Sequence, residues 1–423
     1  MKILFINTYD QKGGAAQAAY RLHSDMKNVG VKSLMLVKNK TLNDFSVLAT
    51  SSYDKRPKYF SDLTDLLITK IKNKIQHFNW RLYPNRTSMI LSDLRFISIH
   101  GALKKTEFDI LHLHWINHRF FNIAELLKVN KPIVWTLHDA WPFTGICHIA
   151  NDCNKYEQQC GNCPQLKAGI IDDLSHDIWL KKQKIYKSLD LHIVSPSHWL
   201  ASCVRKSTLL KSFPVTVIPN GINTEVFSPV DKSISRENLN LKLNKKYILF
   251  GAMQALSDTN KGFEIIRKTL ISLKEFYSYN ELELLIVGAE EPIEKIDLYY
   301  NQHYLGILTS ENKMAQVYNA ADVAIVPSFS ENLSNTIMEN LSCGIPVVAF
   351  NMGGNGDMID HQINGYLAVA FSSEDLANGL VWCLNTQNSK SLSENARKKV
   401  IENFSQNKIS EQYKKLYTQI SHA

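Results

Sequence analysis

The chain has 423 residues, 44% hydrophobic and 21% charged, which is long for one hydrophobic core and comfortable for two domains of an ordinary globular protein. No uncharged apolar stretch of eighteen or more residues appears, so a transmembrane helix is not expected, and the apolar run at the N-terminus is too short for a secretory signal. A formal net charge of +8 fits nucleic acid, an anionic membrane surface or a phosphorylated substrate as partner, but the lysines are dispersed and no nucleic-acid module is visible, which argues against the first.

In chain order, KILFIN at 2–7 reads as a buried first strand. The loop DQKGGAAQAA follows, where Gly13 and Gly14 allow a ligand close to the backbone at a helix N-terminus that favours an anion; a simple tight turn would carry the same letters. A helix over 15–30 ends at Gly30, and SLMLV at 33–37 is the next strand. The segment 64–83, TDLLITKIKNKIQHFNWRLY, mixes lysines with Leu, Ile, Phe and Trp. It suits an amphipathic helix on a membrane surface, or one packed on its own domain. Strands DILHLHW, PIVWTLH and LHIVSPS complete a doubly wound series.

TVIPNGINTEVFSP, 216–229, reads as a boundary between domains 1–217 and 218–400. The second series has strands KYILFGAM, ELLIVGA, YLGIL, VAIVPS and PVVAF, with helices GFEIIRKTLISLKEF and NKMAQVYNA between them. The polar stretch 401–423 is helical, with tyrosines and isoleucines on one face that packs back on the first domain. The fold class expected is α/β, with two Rossmann-like doubly wound domains.

Four groups of residues carry chemistry. Glu331 follows a strand ending at Pro327, and Glu339 lies eight residues on, in a helix expected to begin near Leu333. At such a strand-to-helix turn, free N–H groups and the helix dipole suit phosphate or sugar oxygens; two glutamates facing solvent would read the same. Lys261, opening the helix after strand KYILFGA, is placed to neutralise a diphosphate. His138 sits at the carboxyl end of its strand, where open α/β sheets bind ligands; a buried structural histidine fits the position equally. His112, His114 and Asn117 form a weaker group, the two histidines sharing one side of a strand or lying at a sheet edge. Cys147, Cys153, Cys160 and Cys163 cluster in CHIANDCNKYEQQCGNC. Four thiolates can close a tetrahedral structural zinc site, with His148 as a substitute ligand; the alternatives are reduced packing cysteines or disulfides formed on purification.

Glu-x7-Glu followed by Gly-x-Pro-Val-Val resembles the donor signature of glycosyltransferase family 4, retaining enzymes of the GT-B fold, and the likeness extends over almost the whole chain. The resemblance implies two domains facing each other across a cleft. It implies a nucleotide-sugar donor (UDP- or GDP-sugar), with Glu331 facing the sugar or diphosphate and Glu339 on the ribose. Asn332, Leu333 and Ser334 then offer backbone donors, with Gly13 and Gly14 across from the diphosphate. Lys261 carries over, but the basic residue that usually accompanies it is missing from GAMQALSDTNKG, and Asn-Leu-Ser-Asn replaces the common Phe-Gly after Glu331. The resemblance makes His138 the cleft histidine that contacts the donor sugar, with Asp139, Trp141 and Phe143 shaping the acceptor pocket. Cys-rich insertions after the His-Asp stretch occur in a polysaccharide-synthesis branch of the family. The expected reaction moves a sugar to a saccharide or lipid-linked saccharide, without catalytic metal, in the cytoplasm or peripherally on the inner face of the membrane. The rival expectation is a nucleotide-sugar- or carbohydrate-binding protein with a degraded site.

Overall fold

Short β-branched and aromatic runs bounded by glycines and polar turns become parallel strands buried on both faces. The computed structural model describes residues 1–53, 83–87, 98–118, 120–251, 259–294, 296–385, 387 and 389–421. The expected amphipathic segment 64–83, apart from Tyr83, and the stretch 252–258, where the companion basic residue was sought, lie outside them. The chain divides into two units, Met1–Ile218 with Ser410–Ala423, and Pro219–Ile409.

The first unit carries seven strands: β1 (Lys2–Tyr9), β2 (Lys32–Asn39), β3 (Val47–Ala49), β4 (Ile110–Leu113), β5 (Ile133–Thr136), β6 (Leu191–Ser195) and β7 (Val215–Val217). Their order is β3-β2-β1-β4-β5-β6-β7 and every pairing is parallel. β4 therefore lies inside the sheet, and His112 and His114 are not sheet-edge residues. The helix Gln406–Ser421 closes on this unit through Tyr413 and Tyr417, both buried. Tyr417 Oη hydrogen-bonds His112 Nδ1 at 2.6 Å, and Tyr413 Oη lies 2.9 Å from Thr136 Oγ1.

The second unit carries β8 (Lys246–Gly251), β9 (Leu282–Val287), β10 (Asn301–Tyr304), β11 (Val323–Val326), β12 (Val347–Phe350) and β13 (Gly365–Ala368), in the order β10-β9-β8-β11-β12-β13, again all parallel. Alternation along each strand feeds two cores. Tyr247 and Leu249 of β8 join Val347 and Ala349 of β12 on one face, while Ile248, Phe250, Val348 and Phe350 fill the other. YLGIL is not the strand its apolar letters suggest. The strand is the half-exposed edge NQHY ahead of it, and Leu305 and Leu308 pack on the core from a loop. Among the described residues no helix is long and apolar enough to cross a membrane.

Candidate functional site

In a parallel sheet the carboxyl ends of all strands share one edge, so the loops after β8 and β11 lie together. Their contact is built from backbone. Phe329 N–H donates to Asn260 O at 2.9 Å, and Asn260 Nδ2 donates to Ser330 O at 3.2 Å. Gly262 has φ +73°, and a Cβ there would stand 2.3 Å from Pro327 O, so only glycine permits this approach. The stitching brings Lys261 Nζ to 2.6 Å from Glu331 Oε1, with side chains 24% and 16% exposed. The two charges proposed from separate motifs thus form one ion pair that a ligand can still reach.

Glu331 is held from the other side as well. Gly354 N–H donates to its carbonyl at 3.1 Å, and Gly353, at φ +56°, packs so closely that a Cβ would lie 1.9 Å from the same oxygen. Gly353→Ala is expected to destabilise the chain by about 1–2 kcal/mol from the left-handed backbone alone, and to weaken nucleotide binding by moving Glu331. Gly356→Ala, whose Cβ has nothing nearer than 3.9 Å, is the neutral comparison. Equal melting and binding in both would dispose of this account.

The helix begins at Asn335, not near Leu333, because Ser334 is extended and caps it, its Oγ 3.5 Å from Ile337 N. Leu333 is 7% exposed and its side chain belongs to the core, so only its backbone is left for a ligand. Asn332 stands in the turn between Glu331 and this cap. Glu339 lies on the helix at 7% exposure, where Tyr318 Oη donates to its Oε2 at 2.7 Å. Tyr318 carried no signal in the sequence, since its partner is 21 residues away on another helix.

In the first unit the ends of β1, β4 and β5 converge. Trp115 N–H donates to Asn7 Oδ1 at 2.8 Å, and Thr8 Oγ1 donates to Asn117 O at 2.8 Å. Asn117 is buried. Gly13, at φ +92°, precedes the helix that begins at Gly14. Half-buried His138 stacks on His114, with His114 Nδ1 and His138 Nε2 2.9 Å apart. His114 Nε2 is buried without a partner. We assign the shared proton to His114, because an orphaned buried N–H is rarer than an orphaned lone pair. That tautomer puts the remaining ring proton of His138 on Nδ1. Desolvation pushes His138 down to about 4 and His114 and His112 well below their ordinary value, so all three rings are neutral at pH 7.

Asp139 accepts from Trp115 Nε1 at 2.7 Å and Trp141 N–H at 2.9 Å, and burial raises its carboxyl. Trp141 and Phe143 are 2% and 1% exposed, within the core of this unit. Their side chains offer no surface to an acceptor and shape the site only by packing. Buried Lys182 fixes the turn they belong to, donating to the carbonyls of Trp141, Thr144 and Gly145 with its ammonium 3.6 Å from the Trp141 ring. Nothing in the sequence marked it.

All seven cysteines are free. Cys147, Cys153, Cys160 and Cys163 line a single cavity. As the side chains stand, no three Cys, His, Asp or Glu groups among the described residues are arranged to hold a metal ion.

Two family models match the chain in succession, Glycosyltransferase Family 4 over residues 44–226 and Glycosyl transferases group 1 over residues 231–399. The chain is 25% identical over 360 residues to a glycosyl transferase named for colanic acid biosynthesis, WcaC of Escherichia coli K12, covering 82% of this chain and 83% of that one. It is 24% identical over 423 residues to the UDP-Gal:alpha-D-GlcNAc-diphosphoundecaprenol alpha-1,3-galactosyltransferase of Escherichia coli, covering 93% and 97%. Among solved structures, HepE of Anabaena in complex with UDP-glucose superimposes with a TM-score of 0.63 at 17% identity, over 99% of this chain and 100% of that chain. Sucrose-phosphate synthase from Thermosynechococcus elongatus gives 0.67 at 18% identity, over 99% and 98%. At these identities the two structures speak for the fold.

Proposed function

Given that the chain belongs to glycosyltransferase family 4 and is a glycosyltransferase of the GT-B fold, we propose that its second unit holds a nucleotide-sugar donor on Lys261, Glu331 and Glu339, and that the sugar passes to a saccharide or lipid-linked saccharide hydroxyl in surface polysaccharide synthesis. The observation that carries this is the Lys261–Glu331 pair at 2.6 Å, fixed at the carboxyl edge of a parallel sheet by two close glycine contacts. Lys261 faces the diphosphate, where negative charge grows as the anomeric C–O bond breaks. Glu331 accepts from sugar hydroxyls, and Glu339 takes the ribose diol. The N–H groups of Asn332, Leu333 and Ser334 are the backbone donors for the nucleotide's phosphates, and in the first unit Gly13 and Gly14 leave backbone open to an anionic ligand.

The acceptor oxygen attacks the anomeric carbon on the face the diphosphate leaves, so configuration is retained. The bonding pair goes to the diphosphate oxygen, and the acceptor proton follows it there. His138 is a poor base, having been pushed down to about 4, and serves by donating from Nδ1 to a sugar oxygen. Asp139, Asn117, Trp141 and Phe143 set the shape of the acceptor side from behind. A UDP-sugar is the donor we favour, supported by the UDP-glucose complex of HepE and the UDP-Gal named for the galactosyltransferase. The latter's diphosphoundecaprenol acceptor supports a lipid-linked acceptor met at the inner face of the membrane.

Calorimetry with UDP-, GDP- and ADP-sugars tests the donor half. One nucleotide sugar is expected to bind saturably, and Glu339→Gln to weaken it by about tenfold, the worth of one charge-assisted hydrogen bond. Equal affinity in the variant would remove Glu339 from the ribose. No binding by the folded wild type would remove the donor assignment as a whole.

A further inference from the structure

The transfer chemistry makes no use of the cysteines at 147, 153, 160 and 163, although their sequence spacing differs from that of packing residues and the fold collects all four around one cavity. That cavity measures about 20 Å³, room for about one water-sized particle. Water would need two to four polar partners there, whereas the lining is dominated by sulfur and hydrocarbon, with Ile146, Ala150 and Pro164 among its walls. Four cysteines around so small a volume select a soft divalent cation, which binds them as thiolates.

From this geometry we propose that Cys147, Cys153, Cys160 and Cys163 form a structural tetrathiolate site for one zinc-class ion. One sulfur already accepts a backbone hydrogen bond, Gly145 N–H donating to Cys160 Sγ at 3.2 Å, and the C-x2-C turn is closed by Leu166 N–H donating to the Cys163 carbonyl at 3.1 Å. Coordination at about 2.3 Å per sulfur would draw the four side chains together around the ion. Uptake of the cation displaces four thiol protons and leaves a net charge of −2. Two lysines answer that charge: Lys182, near enough to Cys160 to act on it, and Lys155, which donates to the carbonyls of Gly161 and Asn162 within the C-x2-C turn. His148 is not a fifth candidate, because it does not line the cavity and acts instead on Asp139. The ion would cross-link residues 147–163, which directly follow the His138–Phe143 turn, and so fix that turn from behind.

Elemental analysis of the chain purified without chelator is expected to give about one zinc per molecule, released as the thiols are titrated with a mercurial. Cobalt exchange is expected to give the intense visible bands and near-ultraviolet thiolate charge transfer of a tetrahedral sulfur site. Cys153→Ser and Cys160→Ser, at half-buried positions, should lower the zinc content, while Cys203→Ser, outside the cavity, should retain it. A folded wild type that takes up neither zinc nor cobalt overturns the site, as does an intact mass short of two hydrogens with a peptide map that joins two of the four cysteines in a disulfide. Zinc retained at full occupancy in both serine variants overturns this ligand set.

Discussion

Lys261→Ala is expected to lower kcat by about 10²–10³-fold, the usual loss when one preorganised donor to a developing anion is removed, and to leave the fold intact. The two halves of that statement rest on different magnitudes. A partly exposed ion pair contributes at most about 1 kcal/mol to stability, so losing the bond between Lys261 and Glu331, 24% and 16% exposed, cannot unfold a domain. The same ammonium opposite a departing diphosphate is worth about 3–4 kcal/mol, because the additional charge develops only as the C–O bond breaks. The loss should therefore appear in kcat more than in KM. Lys261→Arg should recover part of it, since a guanidinium restores the charge without the compact ammonium geometry. Glu331→Gln is informative in combination. The pair is one unit, so the double variant should cost much less than the product of the two single losses. A single-turnover assay that finds Lys261→Ala within about fivefold of wild type would take the lysine out of the reaction.

The outlines of both sheets were legible because buried parallel strands are written as short apolar runs, and KILFIN, PIVWTLH, VAIVPS and PVVAF all became such strands. The reading failed where burial and apolarity part company. β10 is a polar, half-exposed edge strand, and edge strands avoid the hydrophobic letters that would reveal them. β13 is only partly buried at Tyr366 and Leu367. Lys261 and Glu331 could be picked out in advance because each stands between a strand and the helix that follows it, and Glu339 because it lies eight residues beyond Glu331. What holds them was hidden, because Asn260, Tyr318 and Gly353 act through contacts from elsewhere in the chain. Gly353 alone left a trace, as one of the paired glycines after PVVAF. Trp141 and Phe143 show the opposite error. Beside His138 they read as pocket walls, yet their apolar rings went into the core.

Acidification from pH 6.5 to 4 is expected to unfold the first unit before the second. His23, His112, His114 and His138 all belong to the first unit, and each is held neutral by desolvation, His23 and His138 at about 4 and the other two well below the ordinary value. Their partners are neutral: Ser33 and Ser46 for His23, Thr136 and Tyr417 for His112, and His138 for His114. The unfolded chain binds protons on these rings below its pKa of about 6.5, while the folded chain does not. Stability is therefore complete above pH 6.5 and falls as pH drops, by about 1.4 kcal/mol per pH unit for each histidine. Below about 4 the folded state also protonates His23 and His138, and their contribution to the slope ends. By then His23 and His138 have each cost about 3 kcal/mol, and His112 and His114 act in the same direction, which together is a large share of the reserve of an ordinary domain. In the second unit, Glu283 has its carboxyl held below the usual range by hydrogen bonds that include His303 and Tyr247, against the opposing pull of burial, so its contribution is lost only below about 4.5. Tryptophan fluorescence separates the two events, because Trp115, Trp135, Trp141, Trp179 and Trp199 lie in the first unit and Trp382 in the second. Denaturant titrations at steps between pH 7 and 4 should show the early fluorescence transition weakening with falling pH, and His23→Gln should reduce its pH slope by one proton. An early transition that keeps its midpoint down to pH 4.5 would mean that these histidines carry their protons in the folded chain.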